Sequence, residues 1–139
     1  MATIRPAARA EPLPGTVALR RAFLLALVAT AVAGAWLVSR PQPALVADPE
    51  LARLLRGMAA IKGLLALAAL GLVWWRIGRP IATARLVGYA LGTAILAAAA
   101  VMVWQLAVVA ATSVVFHATL LALALTALGD AGVRGTRRR

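Results

Sequence analysis

Four apolar runs dominate the chain: Ala22–Val38, Gly57–Trp75, Leu86–Trp104 and Thr112–Leu128. None contains an aspartate or a glutamate. Each is about 17–20 residues long, the length a helix needs to cross ~30 Å of hydrocarbon at ~1.5 Å per residue. Hydrocarbon has no partners for backbone N–H and C=O groups, so only helices and closed barrels span it. The period-two alternation of a barrel strand is absent here. A helix of a soluble bundle keeps one polar face for water, but these runs are apolar all round. The pattern therefore predicts an all-α fold: an integral membrane four-helix bundle, with spans at about 20–39, 50–77, 82–105 and 110–129 of a domain covering residues 20–130. Residues 1–19 read as a flexible basic N-terminal segment and residues 131–139 as a basic C-terminal tail.

Composition agrees with that class. Hydrophobic residues make up 63% of the chain and charged residues 14%, against about half and about a quarter in a soluble domain. There is no cysteine, which excludes disulfides, thiolate metal sites and cysteine nucleophiles.

The stretch RRAFLLALVATAVAGA, residues 20–35, fits two descriptions. Paired arginines followed by Phe23-Leu24 match a twin-arginine export signal, and Ala31-Val32-Ala33 matches an A-x-A cleavage site. However, the apolar run continues through Trp36, Leu37 and Val38, a full span, and three more apolar runs follow it. Ala26, Thr30 and Gly34 form an i, i+4 stripe of small residues, of the kind packed membrane helices use. The stretch is expected to be a retained first helix.

Charge orients the spans. With four of them, both termini share a side with the loop between the second and third. That side carries eleven of the 15 basic residues, and the other four are Arg40, Arg53, Arg56 and Lys62. Basic residues are held in the cytoplasm, so both termini are expected there, in a bacterial cytoplasmic (inner) membrane. Arg137-Arg138-Arg139 then serve topology and contact with anionic membrane lipids. Nucleic-acid binding needs a basic surface on a folded domain with interleaved aromatics, and none is expected.

The connections differ in character. SRPQPALVADPE, residues 39–50, begins as a Pro-rich extended stretch. Asp48 then suits an N-cap, Pro49 the first helical position and Glu50 the positive end of a helix. The following LARLLRGM either lies on the membrane surface or continues into the span. In the short basic loop RIGRPIATAR, Gly78 and Pro80 end the second span, with Trp74 and Trp75 beside it at headgroup depth. Trp36 and Trp104 suit the opposite face. Between Leu86 and Leu128 there is no proline or charge, and the last glycine is Gly92. A tight hairpin is expected between Trp104 and Ser113, with Gln105 at one end and Thr112-Ser113 as N-cap candidates at the other.

Motifs that carry chemistry are missing. There is no Walker loop, GxGxxG, HExxH or GxSxG. The spans hold no carboxylate, which argues against proton-coupled transport. Gly88 and Gly92 form a GxxxG, a helix-packing signal. Two ionisable residues do lie inside spans, Lys62 and His117, at similar depth near the face opposite the termini. Gln105, Thr112 and Ser113 are expected near them, with Arg53 and Arg56 above, and Ser113 and His117 share a helix face. Arg53, Arg56, Lys62, Gln105, Ser113 and His117 are the candidate ligand-binding set. The plainer readings are that Lys62 snorkels to headgroups and that His117 is a buried residue bonded to a neighbour. No cofactor is expected. Haem b on His117 would need a second ligand from a partner chain, and copper through His117 with Met58 or Met102 would need more converging ligands.

Two functional classes follow. In the first, the chain is a non-catalytic subunit or assembly factor of a larger membrane complex. It would contact other membrane subunits or itself through Ala26, Thr30, Gly34, Gly88 and Gly92. In the second, the polar cluster binds a small amphiphile or anion, a quinone or lipid headgroup, for transport or redox chemistry.

Overall fold

The computed structural model describes residues 14–79 and 81–136, with side chains over residues 15–129 except Pro80. Among these residues the fold is all-helical: α1 (Pro14–Val38), α2 (Pro43–Ala47), α3 (Pro49–Ile77), α4 (Thr83–Trp104) and α5 (Val109–Thr136). Four of them, α1, α3, α4 and α5, are long and apolar enough to cross a membrane, as an integral membrane protein requires.

Local chemistry sets most boundaries. Asp48 caps α3 as its sequence suggests: the carboxylate accepts from the backbone N–H of Glu50 at 3.1 Å and of Leu51 at 3.0 Å, and Pro49 follows at the first helical position. LARLLRGM is the first part of α3 and runs straight into its apolar body. The stretch before it is not wholly extended. Gln42 is extended, but Pro43 starts a five-residue helix, α2, because proline's fixed φ suits a first turn. Both outer helices also pass the expected domain edges. α1 begins at Pro14 and α5 continues to Thr136, since no proline interrupts either stretch. Of the N-terminal segment, residues 1–13 lie outside the described residues, as do Arg137–Arg139 and the side chains from residue 130 onward.

The α4–α5 turn lies inside the expected window but is built differently. Gln105 ends α4, its backbone N–H donating to the carbonyls of Val101 and Val103. Leu106 and Val108 then take positive φ, 58° and 42°, which is costly for a bulky or β-branched residue. Leu106 and Ala107 are each 1% exposed, so the tight turn allows both side chains to be buried. α5 starts at Val109, which puts Thr112 and Ser113 inside its first turns, not at its N-cap. Thr112 Oγ1 donates back to the Val108 carbonyl at 2.9 Å. Gln42 N–H donates to the Leu106 carbonyl at 3.1 Å and ties the α1–α2 linker to this turn.

α4 is the centre of the bundle. It packs against α1, α3 and α5, whereas α1 touches α3 only briefly and α3 makes no close backbone approach to α5. One cluster joins Leu24, Val73, Ile77, Tyr89 and Ala90, and a second joins Ala66, Leu96, Ala99, Ala100 and Phe116. The first lies toward the start of α1 and the α3–α4 loop, here termed the terminal end. The second lies toward α2 and the α4–α5 turn, the hairpin end.

Small residues behave unequally. A Cβ on Gly92 would stand 2.7 Å from Leu123 Cδ2, so the missing side chain is what seats α5 on α4. Gly88 has open space at its Cβ position, so only one half of the GxxxG packs within the chain. The expected α1 stripe also faces away from the bundle: Ala26 and Thr30 are exposed, and nothing lies within 4 Å of a Cβ on Gly34. Leu24 and Ala35 are the residues of α1 that are buried, with Leu27 and Val28 packed on the first cluster.

Candidate polar site at the hairpin end

Lys62 follows Ala59 by three residues and precedes Ala66 by four, so all three share the buried face of α3. The lysine itself is 6% exposed. Its ammonium donates to Ser113 Oγ at 2.6 Å and lies 5.7 Å from the centroid of the Phe116 ring. One hydroxyl and one ring face are the polar surroundings of a group with three donors. Lys62 thus turns inward across the α3–α5 gap and does not snorkel outward. Its four-carbon stem is long enough to bridge two helices whose backbones stay apart.

Ser113 stands between Lys62 and His117. Its hydroxyl accepts from Lys62, and its carbonyl oxygen accepts from His117 Nδ1 at 2.7 Å. A carbonyl only accepts, so Nδ1 carries the proton. The imidazole thus donates to the backbone one turn earlier. His117 is exposed on the outside of the bundle and meets Phe116 edge-on, with centroids 5.7 Å apart and an interplanar angle of 79°. The physical reason is angular. Phe116, fully buried, occupies the inward position of α5, and the next residue points ~100° farther round the helix.

The remaining candidates do not converge on Lys62. Arg53 and Arg56 are exposed on α3, and Arg53 lies 3.9 Å from Glu50 with both side chains 84% exposed. That loose surface pair contributes little. Gln105 serves as the α4 C-cap through its backbone. The structure therefore joins Lys62 with Ser113 and leaves Arg53, Arg56 and His117 facing outward. Phe116 was not among the candidates, although one of only two phenylalanines falls three residues after Ser113, on the same helical face.

The arrangement is a closed polar contact, with little of Lys62 presented to a ligand. Among the described residues no group of three or more His, Asp or Glu side chains converges to hold a metal ion. No protein-family model matches the chain, and no curated protein or solved structure shows significant similarity to it.

Proposed function

We propose that the chain is a non-catalytic subunit or assembly factor of a larger membrane protein complex, inserted in a bacterial cytoplasmic membrane with both termini in the cytoplasm. The observation that carries this reading is the set of small residues left open on outward faces. Ala26 and Thr30 are exposed, and Gly34 on α1, Gly57 and Gly71 on α3 and Gly88 on α4 have nothing within 4 Å of a Cβ position. A glycine costs a helix about 1 kcal/mol relative to alanine. Lipid gives no return for it, but close approach of another helix does. The packing of α1 through Leu24 supports its being a permanent part of the bundle, and the distribution of arginine supports the orientation.

The second class, binding of a quinone or lipid headgroup at the hairpin end, has less support, because Lys62 is already bonded and covered. The subunit reading is tested by purifying tagged protein from its native membrane after in situ cross-linking. Stoichiometric membrane partners, or further copies of the chain, are expected with the wild type and lost with Gly34→Leu. Reporter fusions at residue 139 and within residues 41–47 are expected to give opposite signals. A wild-type chain that purifies alone as a monomer refutes the subunit reading, and an external C-terminus refutes the orientation.

A further inference from the structure

α3 and α5 meet through Lys62 and Ser113 at the hairpin end and separate toward the terminal end. The space between them there is an open cleft of about 470 Å³. Its walls are Leu72 and Val73 of α3, Tyr89 of α4, and Leu120, Leu123 and Ala124 of α5. Arg76, Arg79 and Trp75 also line it, where α3 runs into the α3–α4 loop. No carboxylate lines it among the described side chains.

We propose that this cleft holds an acyl chain of one anionic phospholipid, from the leaflet nearer the termini, with the lipid phosphate bound by Arg79. Three observations support the assignment. The volume falls in the range of small-ligand sites, ~300–1,000 Å³. The polarity is graded as a lipid requires, with apolar walls toward the bundle middle and guanidinium groups at the loop. Finally, Arg79 is pre-positioned. Its guanidinium stacks 3.9 Å from the centroid of Trp75, and the side chain is exposed. Stacking uses the face of the guanidinium and leaves its N–H edge for a phosphate. Basic pockets between membrane helices bind anionic headgroups in this way. Because bilayer and cleft are both apolar, the acyl chain adds fit, and the charge supplies the preference.

The proposal requires insertion in a membrane but no partner protein, so it can fail independently of the subunit reading. The test is native mass spectrometry of the full-length chain released from detergent with dioleoyl-phosphatidylglycerol or dioleoyl-phosphatidylcholine. One exposed arginine at about 1 kcal/mol predicts ~5-fold tighter binding of one phosphatidylglycerol. Arg79→Gln is expected to lower that preference at least several-fold, whereas Arg40→Gln, exposed at the hairpin end, leaves it unchanged. Ala124→Trp, which fills the cleft, is expected to weaken both lipids. Arg79→Gln changes an exposed side chain, so its result stands even if Ala124→Trp misfolds. Equal binding of the two lipids, or equal effects of Arg79→Gln and Arg40→Gln, overturns the proposal. So does displacement of the lipid by millimolar inorganic phosphate, which would point to an anion site without a chain. Disulfide cross-linking of Ala124→Cys between copies in lipid-free detergent, lost neither on dilution nor on adding phosphatidylglycerol, would assign the cleft to a second copy instead.

Discussion

The two ends of the α3–α5 gap solve one geometric problem in opposite ways. Neither helix approaches the other's backbone, and both are held by α4. At the hairpin end a lysine stem crosses the gap and is stopped by a hydroxyl, with Phe116 closing the side. Toward the terminal end the two helices line an open cleft of about 470 Å³. Gly92 draws Leu123, and α5 with it, onto α4, while Arg79 of the α3–α4 loop stacks on Trp75 at the same end. A single long polar side chain bridges at one end a gap that stays an open cleft at the other. The contrast shows why an ionisable residue inside a span need not mark a reaction: Lys62 spaces two helices.

The largest effect is expected from removing what seats α5. With Gly92→Leu, a Cβ already 2.7 Å from Leu123 Cδ2 is followed by further carbons. The flexible end of Leu123 can yield to an alanine but not to a branched side chain. Overpacking of this kind costs ~1–3 kcal/mol. The thermal midpoint of purified Gly92→Leu should fall, with Gly92→Ala in between and Gly88→Leu near wild type. Equal losses at residues 88 and 92 would mean that α5 is not seated on Gly92.

The hairpin end is tested by a double-mutant cycle. Ser113→Ala removes the hydroxyl that Lys62 donates to and leaves a buried ammonium without it, a loss of about 1–3 kcal/mol. Lys62→Met keeps the stem and deletes the charge, so it should be neutral or stabilising, as replacing buried charge by apolar volume often is. The double variant should then match Lys62→Met alone. Unfolding midpoints check this, and additive losses would show that the two residues are not coupled.

How far the sequence could be read follows from the same physics. Span length, absence of acidic residues and the Asp48-Pro49 cap are local properties, and each corresponds to an observed helix or boundary. Lys62 and Ser113 could be paired because both lie at similar depth on helices running the same way. Rotation about a helix axis is different, since it depends on which neighbour is packed where. Runs that are apolar all round give no moment to fix it, so the sequence left open which way Ala26, Thr30, Gly34, Gly88 and His117 face, and in the structure they lie outward. The α4–α5 turn was obscured for another reason: it takes positive φ at Leu106 and Val108 without a glycine, and turn chemistry is legible only when the usual residues supply it.

The smallest effect is expected at His117, and its size separates a spacer from a site. The imidazole is exposed, and its bond from Nδ1 goes to the carbonyl of Ser113 in its own helix. That carbonyl precedes residue 117 by four, so it also accepts the ordinary helical N–H bond and is not orphaned when the imidazole is lost. His117→Gln keeps a donor and an acceptor and should change the midpoint by less than ~0.5 kcal/mol, as surface changes away from buried networks do. Combined with Ser113→Ala, it should add only that same small change, because the two bonds use different atoms of residue 113, hydroxyl and carbonyl. A loss for His117→Gln comparable to that of Ser113→Ala would require the imidazole to reach the Lys62 ammonium. The gap would then be closed by a three-residue cluster, and the distinction between a spacing lysine and a ligand-binding one would have to be reopened at the hairpin end.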